Sequence, residues 1–133
     1  MDGCIFCRIA SSEITGLRVY EDEATLAFMD VAKDVDGHIL VIPKAHCKNI
    51  LDCEPEILDA VFRTVRKVSR HLVSDCGYEG VNLLNASGEC AGQSIPHVHI
   101  HIIPRKGGDG IDAWPEFAGA KEDLQVVYDR VKM

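Results

Sequence analysis

The stretch HVHIH, from His97 to His101, places three of the chain's six histidines at alternate positions. Successive side chains of a β-strand point to opposite faces, so His97, His99 and His101 share one face and Val98, Ile100 and Ile102 the other. Same-face neighbours stand roughly 7 Å apart. The apolar face can enter a core while the imidazoles form a row of nucleophiles, proton carriers or metal ligands. A neutral imidazole is a competent nucleophile towards phosphorus, and a neighbouring imidazolium neutralises phosphate oxygens. His99 is central in the row. The preceding loop, ASGECAGQSIP (86–96), is rich in small residues whose backbone N–H groups can cradle an anion. Its Ser94 can hand a proton to a leaving group. These residue types point to phosphoryl or nucleotidyl transfer, where catalysis is mainly positioning and charge neutralisation.

A second motif is Cys4-x2-Cys7. Such a pair can be a redox couple, half of a zinc site, or coincidence. A thioredoxin-like couple follows a strand in a βαβ unit, and this pair opens the chain instead, so that reading falls. A zinc site needs about four ligands at roughly 2.0–2.3 Å, so two more must come from elsewhere. Cys47, Cys53, Cys76 and Cys90 are irregularly spaced and read as small buried hydrophobes rather than a disulfide framework.

The elements that must carry these groups follow from periodicity. CIFCRIASSEI reads as a short helix, and LRVYEDE with ATLAFMDV as a hairpin. GHILVIP (37–43) is a continuous apolar run ended by proline, the pattern of a strand buried on both faces. Ile57, Leu58, Val61, Phe62, Val65, Val68 and Leu72 trace one face of a helix of about five turns, with Pro55 at its start and Gly77 beyond its end. GVNLLNA is a further strand. After Pro104 come the polar turn RKGGDG and a tail, from about 105 onward, that is helical near 122–131. The order suggests an α+β fold, an antiparallel sheet with helices to one side.

The 133 residues make one domain, 1–133, able to bury about two-thirds of its unfolded surface. Formal charge is 14 − 21 = −7, so the surface as a whole does not attract nucleic acid, and an anionic ligand needs a local cluster of donors. The apolar share is 47% and mean hydropathy is near zero, yet no run approaches the roughly 18 apolar residues of a membrane span. The first residues lack the basic and apolar regions of a signal peptide, and the expected location is cytoplasmic.

HVHIHII (97–103) fits the alternating signature of the histidine triad (HIT) nucleotide hydrolases and transferases. IFCRI (5–9), AFMDV (27–31), GHILVIPKAH (37–46), NLLNASG (82–88) and GQSIPHVHIHIIPR (92–105) also stand in family order. The resemblance covers most of the chain and is closest to the small bacterial Hint-like branch. It implies a five-stranded antiparallel sheet with a long helix and a short N-terminal helix, and a homodimer formed through the long helix and a sheet edge.

The same resemblance implies roles. His99 would attack the α-phosphorus of an adenylylated or guanylylated substrate, forming a nucleotidyl-histidine that water hydrolyses to AMP or GMP. His101 and His38 would hold phosphate oxygens, with the backbone around Gly92, Gln93 and Ser94. Ser94 would assist the leaving group. Asn85 would line the phosphate site, Asp30 would bond the ribose hydroxyls, and Phe6, Ile9, Phe28 and Val31 would hold the purine. Cys4, Cys7, His46 and His97 would bind a structural zinc ion, as in some bacterial members. No organic cofactor is implied.

Taken singly, Asp30 also reads as a turn carboxylate, and Phe6, Ile9 and Phe28 as plain core. His38 also reads as a core histidine and His71 as helix surface. Two other functions remain open. A dinucleoside polyphosphate hydrolase fits the turn IIPRKGGDG, with Gln93 near bridging phosphates. A nucleotide-binding zinc protein with little turnover is the non-enzymatic alternative. A uridylyltransferase is disfavoured, because such triads carry proline where this chain has Val98.

Overall fold

The computed structural model describes residues 3–133, and Met1 and Asp2, the start of the domain expected over 1–133, lie outside the described residues. Helix α1 (Ile5–Ala10) leads into strands β1 (Arg18–Glu21), β2 (Thr25–Met29) and β3 (Ile39–Pro43). Helix α2 (Pro55–Asp75), β4 (Gly80–Leu84), β5 (Ile100–Arg105) and α3 (Leu124–Val131) follow, with a single 3₁₀ turn (Glu89–Ala91) before β5. The sheet is antiparallel throughout, in the order β1-β2-β3-β5-β4.

Strands β2 and β3 are covered on both faces, and this corrects the expectation of helices to one side. Ile39 and Val41 of β3 join Ala27, Ile100 and Ile102 against Val61, Val65, Val68 and Leu72 of α2. Leu40 and Ile42, on the opposite face by the strand's alternation, join Leu26 and Phe28 against Phe6 and Ile9 of α1. A run as continuously apolar as ILVIP leaves neither face for water, so the short N-terminal helix must cover what α2 does not. Thr25 and Thr64 bridge β2 and α2 through a 2.6 Å hydroxyl–hydroxyl bond, which satisfies two fully buried polar side chains.

Local chemistry sets the corners. Asp22 accepts from the backbone N–H groups of Ala24 and Thr25 and closes the β1–β2 turn. Helix α2 starts at Pro55, where a missing N–H costs nothing, and runs three residues beyond the last apolar contact of its periodic face. Gly37 enters β3 with φ of +81°, and a Cβ there would lie 2.9 Å from Pro104 Cγ. Only glycine meets both conditions.

The cysteine reading needs a second correction. Cys47 and Cys53 are buried, as expected, but their sulfurs are paired with each other across 5.2 Å of Cα separation. Val98 packs on this pair. Cys76 and Cys90 are exposed, because the C-terminal end of α2 and the 3₁₀ turn face solvent.

Candidate active site

The regular part of β5 begins only at Ile100, so His97 and His99 stand in the irregular segment that feeds it. Alternation still holds. Val98, Ile100 and Ile102 are buried in the core, and the three imidazoles point away from it in a row. The row is divided by its neighbours, with His97 facing α1 and the β3 exit, and His99 and His101 facing an open cavity.

His97 is fully buried, and its Nε2 lies 2.8 Å from the carbonyl oxygen of Pro43. A carbonyl only accepts, so Nε2 carries the hydrogen and Nδ1 keeps its lone pair. That nitrogen stands 3.3 Å from Cys4 Sγ and 3.5 Å from Cys7 Sγ, while His46 Nδ1 is 3.3 Å from Cys7 Sγ. The four ligand atoms lie within 4.8 Å of one another. Two thiols and two imidazole nitrogens at these separations fit a tetrahedral cation, and the His97–Pro43 bond is the outer contact that orients a ligating imidazole. Burial pushes the His97 imidazolium down to about 4, which keeps the ring neutral, as a metal ligand must be.

The carbonyl of His97 has its own role. His99 Nδ1 lies 2.8 Å from it and must donate, which leaves Nε2 of His99 as the free nucleophilic nitrogen. The edge of Phe6 packs on the His99 ring at 5.1 Å between centroids. His101 follows at 4.9 Å from His99, and His38 Nε2 bonds His101 Nδ1 at 2.8 Å. Burial, then the neighbouring charges of His99 and His38, holds His101 down to about 4. His38 is itself held by Asp34, 3.0 Å from its Nδ1, and Asp30 stands 3.5 Å from its Nε2.

A 290 Å³ cavity opens over His99 and His101, lined by Phe6, Ile9, Phe28, Asp30, Val31 and Ser94. Eight residues named from the sequence therefore meet at one place. The sequence missed Ile5, Thr15, Gly16, Met29, Leu40 and Ile95, which also line it. Leu40 and Met29 were legible as neighbours of His38 and Asp30 on adjacent strands, but Thr15 and Gly16 sit in a turn without any chemical signature. The apolar slot with one carboxylate at its rim and two imidazoles at its floor can hold a flat apolar ring, a polyol and an anion in sequence.

Four residues named for the nucleotide site stand apart from the cavity lining: His38, which sits behind His101, and Asn85, Gln93 and Gly92. Asn85 Nδ2 donates to the carbonyl of His99 at 2.9 Å and its Oδ1 accepts from Ser87, so it braces the backbone of His99. Gln93 Nε2 donates to the carbonyls of Lys48 and Ile95, and its Oε1 accepts from Gly88 N and Asn49 Nδ2. Every polar atom of that amide is engaged within the loops, so it serves as a clamp there. Gly92 caps the 3₁₀ turn in the left-handed region at φ of 93°, which sets the path into Ser94. His71 lies on the helix surface as expected, bonded to Asp75.

The fold and the sequence have known relatives. A family model described as HIT domain matches residues 11–108. The chain is 44% identical over 128 residues to the protein named Protein hit of Bacillus subtilis, covering 93% of this chain and 88% of that one. It is 33% identical to the adenosine 5'-monophosphoramidase hnt1 of Schizosaccharomyces pombe, covering 96% of this chain and 95% of that one. A zinc-bound histidine triad family protein from Mycobacterium smegmatis superposes with a TM-score of 0.80 at 31% identity, over 86% of this chain and 84% of that one.

Proposed function

This chain belongs to the histidine triad family, and from that premise we propose that it hydrolyses nucleoside phosphoramidates and related nucleotidylated small molecules, releasing AMP or GMP. The observation that carries the reading is the free Nε2 of His99, fixed by the Nδ1–H donated to the His97 carbonyl at the floor of the cavity. The similarity in sequence to the protein named adenosine 5'-monophosphoramidase hnt1 supports the substrate class.

The steps balance on this chain's own groups. Purine and ribose enter the slot of Phe6, Ile9, Phe28 and Val31, with Asp30 accepting from ribose hydroxyls. His99 Nε2 attacks the α-phosphorus and forms a P–N bond to histidine. The bond to the leaving amine breaks, and the amine takes the proton of the Ser94 hydroxyl. His101 places a donor on the phosphate oxygens, where charge develops, and His38 holds His101 through the contact of its Nε2 with His101 Nδ1. Water then attacks phosphorus and returns a proton to the Ser94 oxygen, the P–N bond to His99 breaks, and the nucleoside monophosphate leaves.

Zinc is the cation that best fits the Cys4, Cys7, His46 and His97 donors, since two thiolates and two imidazoles make a familiar closed structural set. When bound it supplies a cross-link from α1 to the β3 exit and the nucleophile's segment. A homodimer is supported by β4 standing at the sheet edge with Leu83 exposed, and by Phe62 and Val73 exposed on α2. Among the described residues no helix is long and apolar enough to cross a membrane. The reading places the protein in the cytoplasm.

The deciding experiment is a single-turnover incubation with adenosine phosphoramidate followed by intact-protein mass spectrometry. One AMP adduct per chain, absent in His99→Ala, is the expected result. Release of AMP without His99, or faster turnover of diadenosine tri- or tetraphosphate than of the phosphoramidate, overturns the reading.

A further inference from the structure

Asp34 lies in the β2–β3 connection with a half-exposed side chain, yet both of its oxygens converge on one nitrogen of a buried histidine. Oδ1 and Oδ2 stand 3.0 and 3.2 Å from His38 Nδ1. The other nitrogen of His38 bonds His101 Nδ1 at 2.8 Å, and His101 lines the cavity beside His99. A carboxylate accepts and does not donate, so the hydrogen in the Asp34–His38 contact belongs to Nδ1 of His38. We propose that Asp34 is a positioning residue for the reaction proposed above: it fixes the tautomer of His38 and, through His38, decides which nitrogen of His101 carries a proton when a phosphate enters. The inference rests on the nucleotidyl-transfer reading, because the phosphate is what needs the donor.

The proton count follows from the contacts. With Nδ1 of His38 protonated, a second hydrogen must occupy the His38–His101 contact, since two bare nitrogens repel at 2.8 Å. When both rings are neutral, that hydrogen sits on His101 Nδ1 and leaves His101 Nε2 bare. Phosphate oxygens accept and cannot donate to it. One further proton moves the shared hydrogen to His38 Nε2 and puts a hydrogen on His101 Nε2, which then donates to the α-phosphate. The positive charge settles on His38, between Asp34 at 3.0 Å and Asp30 at 3.5 Å. His101 is well suited to remain the neutral partner, because burial holds it down to about 4. Asp34 is suited to remain ionised, because the His38 hydrogen bond holds its carboxyl below the usual range. The titratable groups facing the pair are Asp30 and Asp34 from the β2–β3 connection, and His99 beside His101 from the β5 segment.

The test uses the full chain with AMP as the binding probe and adenosine phosphoramidate as substrate, in wild type, Asp34→Asn, Asp34→Ala and Asp34→Glu. Nitrogen-15 histidine spectra are expected to give His38 with hydrogen on Nδ1 in wild type and a mixture of tautomers in Asp34→Asn. AMP affinity at neutral pH is expected to fall about tenfold in Asp34→Asn, the loss of one charge-assisted bond, with KM changing more than kcat. Its pH optimum is expected to move to lower pH, and Asp34→Glu to recover part of the loss. Wild-type affinity, pH profile and His38 tautomer in both Asp34→Asn and Asp34→Ala would overturn the proposal. If the wild type fails to turn over the phosphoramidate, the hydrolase reading fails by itself, while AMP affinity and the tautomer still decide on Asp34. A wild-type His38 with Nδ1 bare overturns the role of Asp34 even if turnover is rapid.

Discussion

The carbonyl oxygen of His97 accepts the Nδ1 hydrogen of His99 at 2.8 Å. One residue thus reaches two centres, since the His97 ring stands among Cys4 and Cys7 while its backbone sets the tautomer of His99. Movement of the His97 segment is therefore felt at His99, and a change at the cysteines reaches the active site by way of the backbone.

Asn85 braces the same segment from the other side by donating to the carbonyl of His99. Asn85→Ala is expected to lower kcat about tenfold with little change in KM, the cost of one hydrogen bond that positions a reacting group. Steady-state kinetics with adenosine phosphoramidate check this. A rise in KM alone would return Asn85 to a phosphate-binding role.

Removing the zinc ion proposed at Cys4, Cys7, His46 and His97, or one of the thiols proposed to hold it, is expected to act on stability first. Cys4→Ser, or prolonged chelation, should lower the melting temperature by at least about 5 °C and raise KM, because α1 carries Phe6 and Ile9 into the cavity. Elemental analysis before and after chelation, read beside the melting curve, checks it. An unchanged melting temperature in metal-free protein would leave the four residues without a structural role.

His101 makes stability depend on pH in a defined direction. Its folded value of about 4 lies below the ordinary 6.5, so the unfolded chain binds the proton more readily. The contribution is fully present above pH 6.5 and is lost as pH falls towards 4. Denaturant unfolding across that interval should give a shallower loss for His101→Asn than for wild type.

Gly37 offers a mutation that strikes the site through the backbone. Its φ of +81° and the 2.9 Å approach of Pro104 Cγ to a would-be Cβ make alanine strained, and His38 is the next residue. Gly37→Ala is expected to cost on the order of 1–2 kcal/mol and to reduce kcat/KM by displacing His38 from Asp34 and His101. Urea melts and kinetics on the same preparation separate the two effects.

Much of this molecule is legible residue by residue. The alternation in HVHIHII predicts which side chains enter the core, and Val98, Ile100 and Ile102 do. The uninterrupted ILVIP predicts a strand covered on both faces, although the cover on the second face comes from α1, whose few residues carry too weak a periodic signal to assign a face. Gln93 and Asn85 look like phosphate ligands because amides beside a triad are free donors in a linear sequence. In the folded chain, backbone carbonyls of Lys48, Ile95 and His99 reach those amides first. Cys47 and Cys53 are six positions apart with no motif, and only the turn between β3 and α2 brings their sulfurs together.

The sequence by itself determined the side-chain directions along each strand, the helical face of α2 and the chemical types available for catalysis. Those depend on local backbone geometry, where a period of two or of 3.6 residues fixes what points where. The tertiary structure decided the pairings: Cys4 with His97 across 93 residues, Cys7 with His46 across 39, and His38 with His101 across 63. Such contacts depend on sheet register and loop closure, which no local period encodes. The protonation pattern of the site depends on them in turn, because Pro43, His97 and Asp34 each accept from one imidazole nitrogen and so fix which nitrogen of that ring carries the hydrogen.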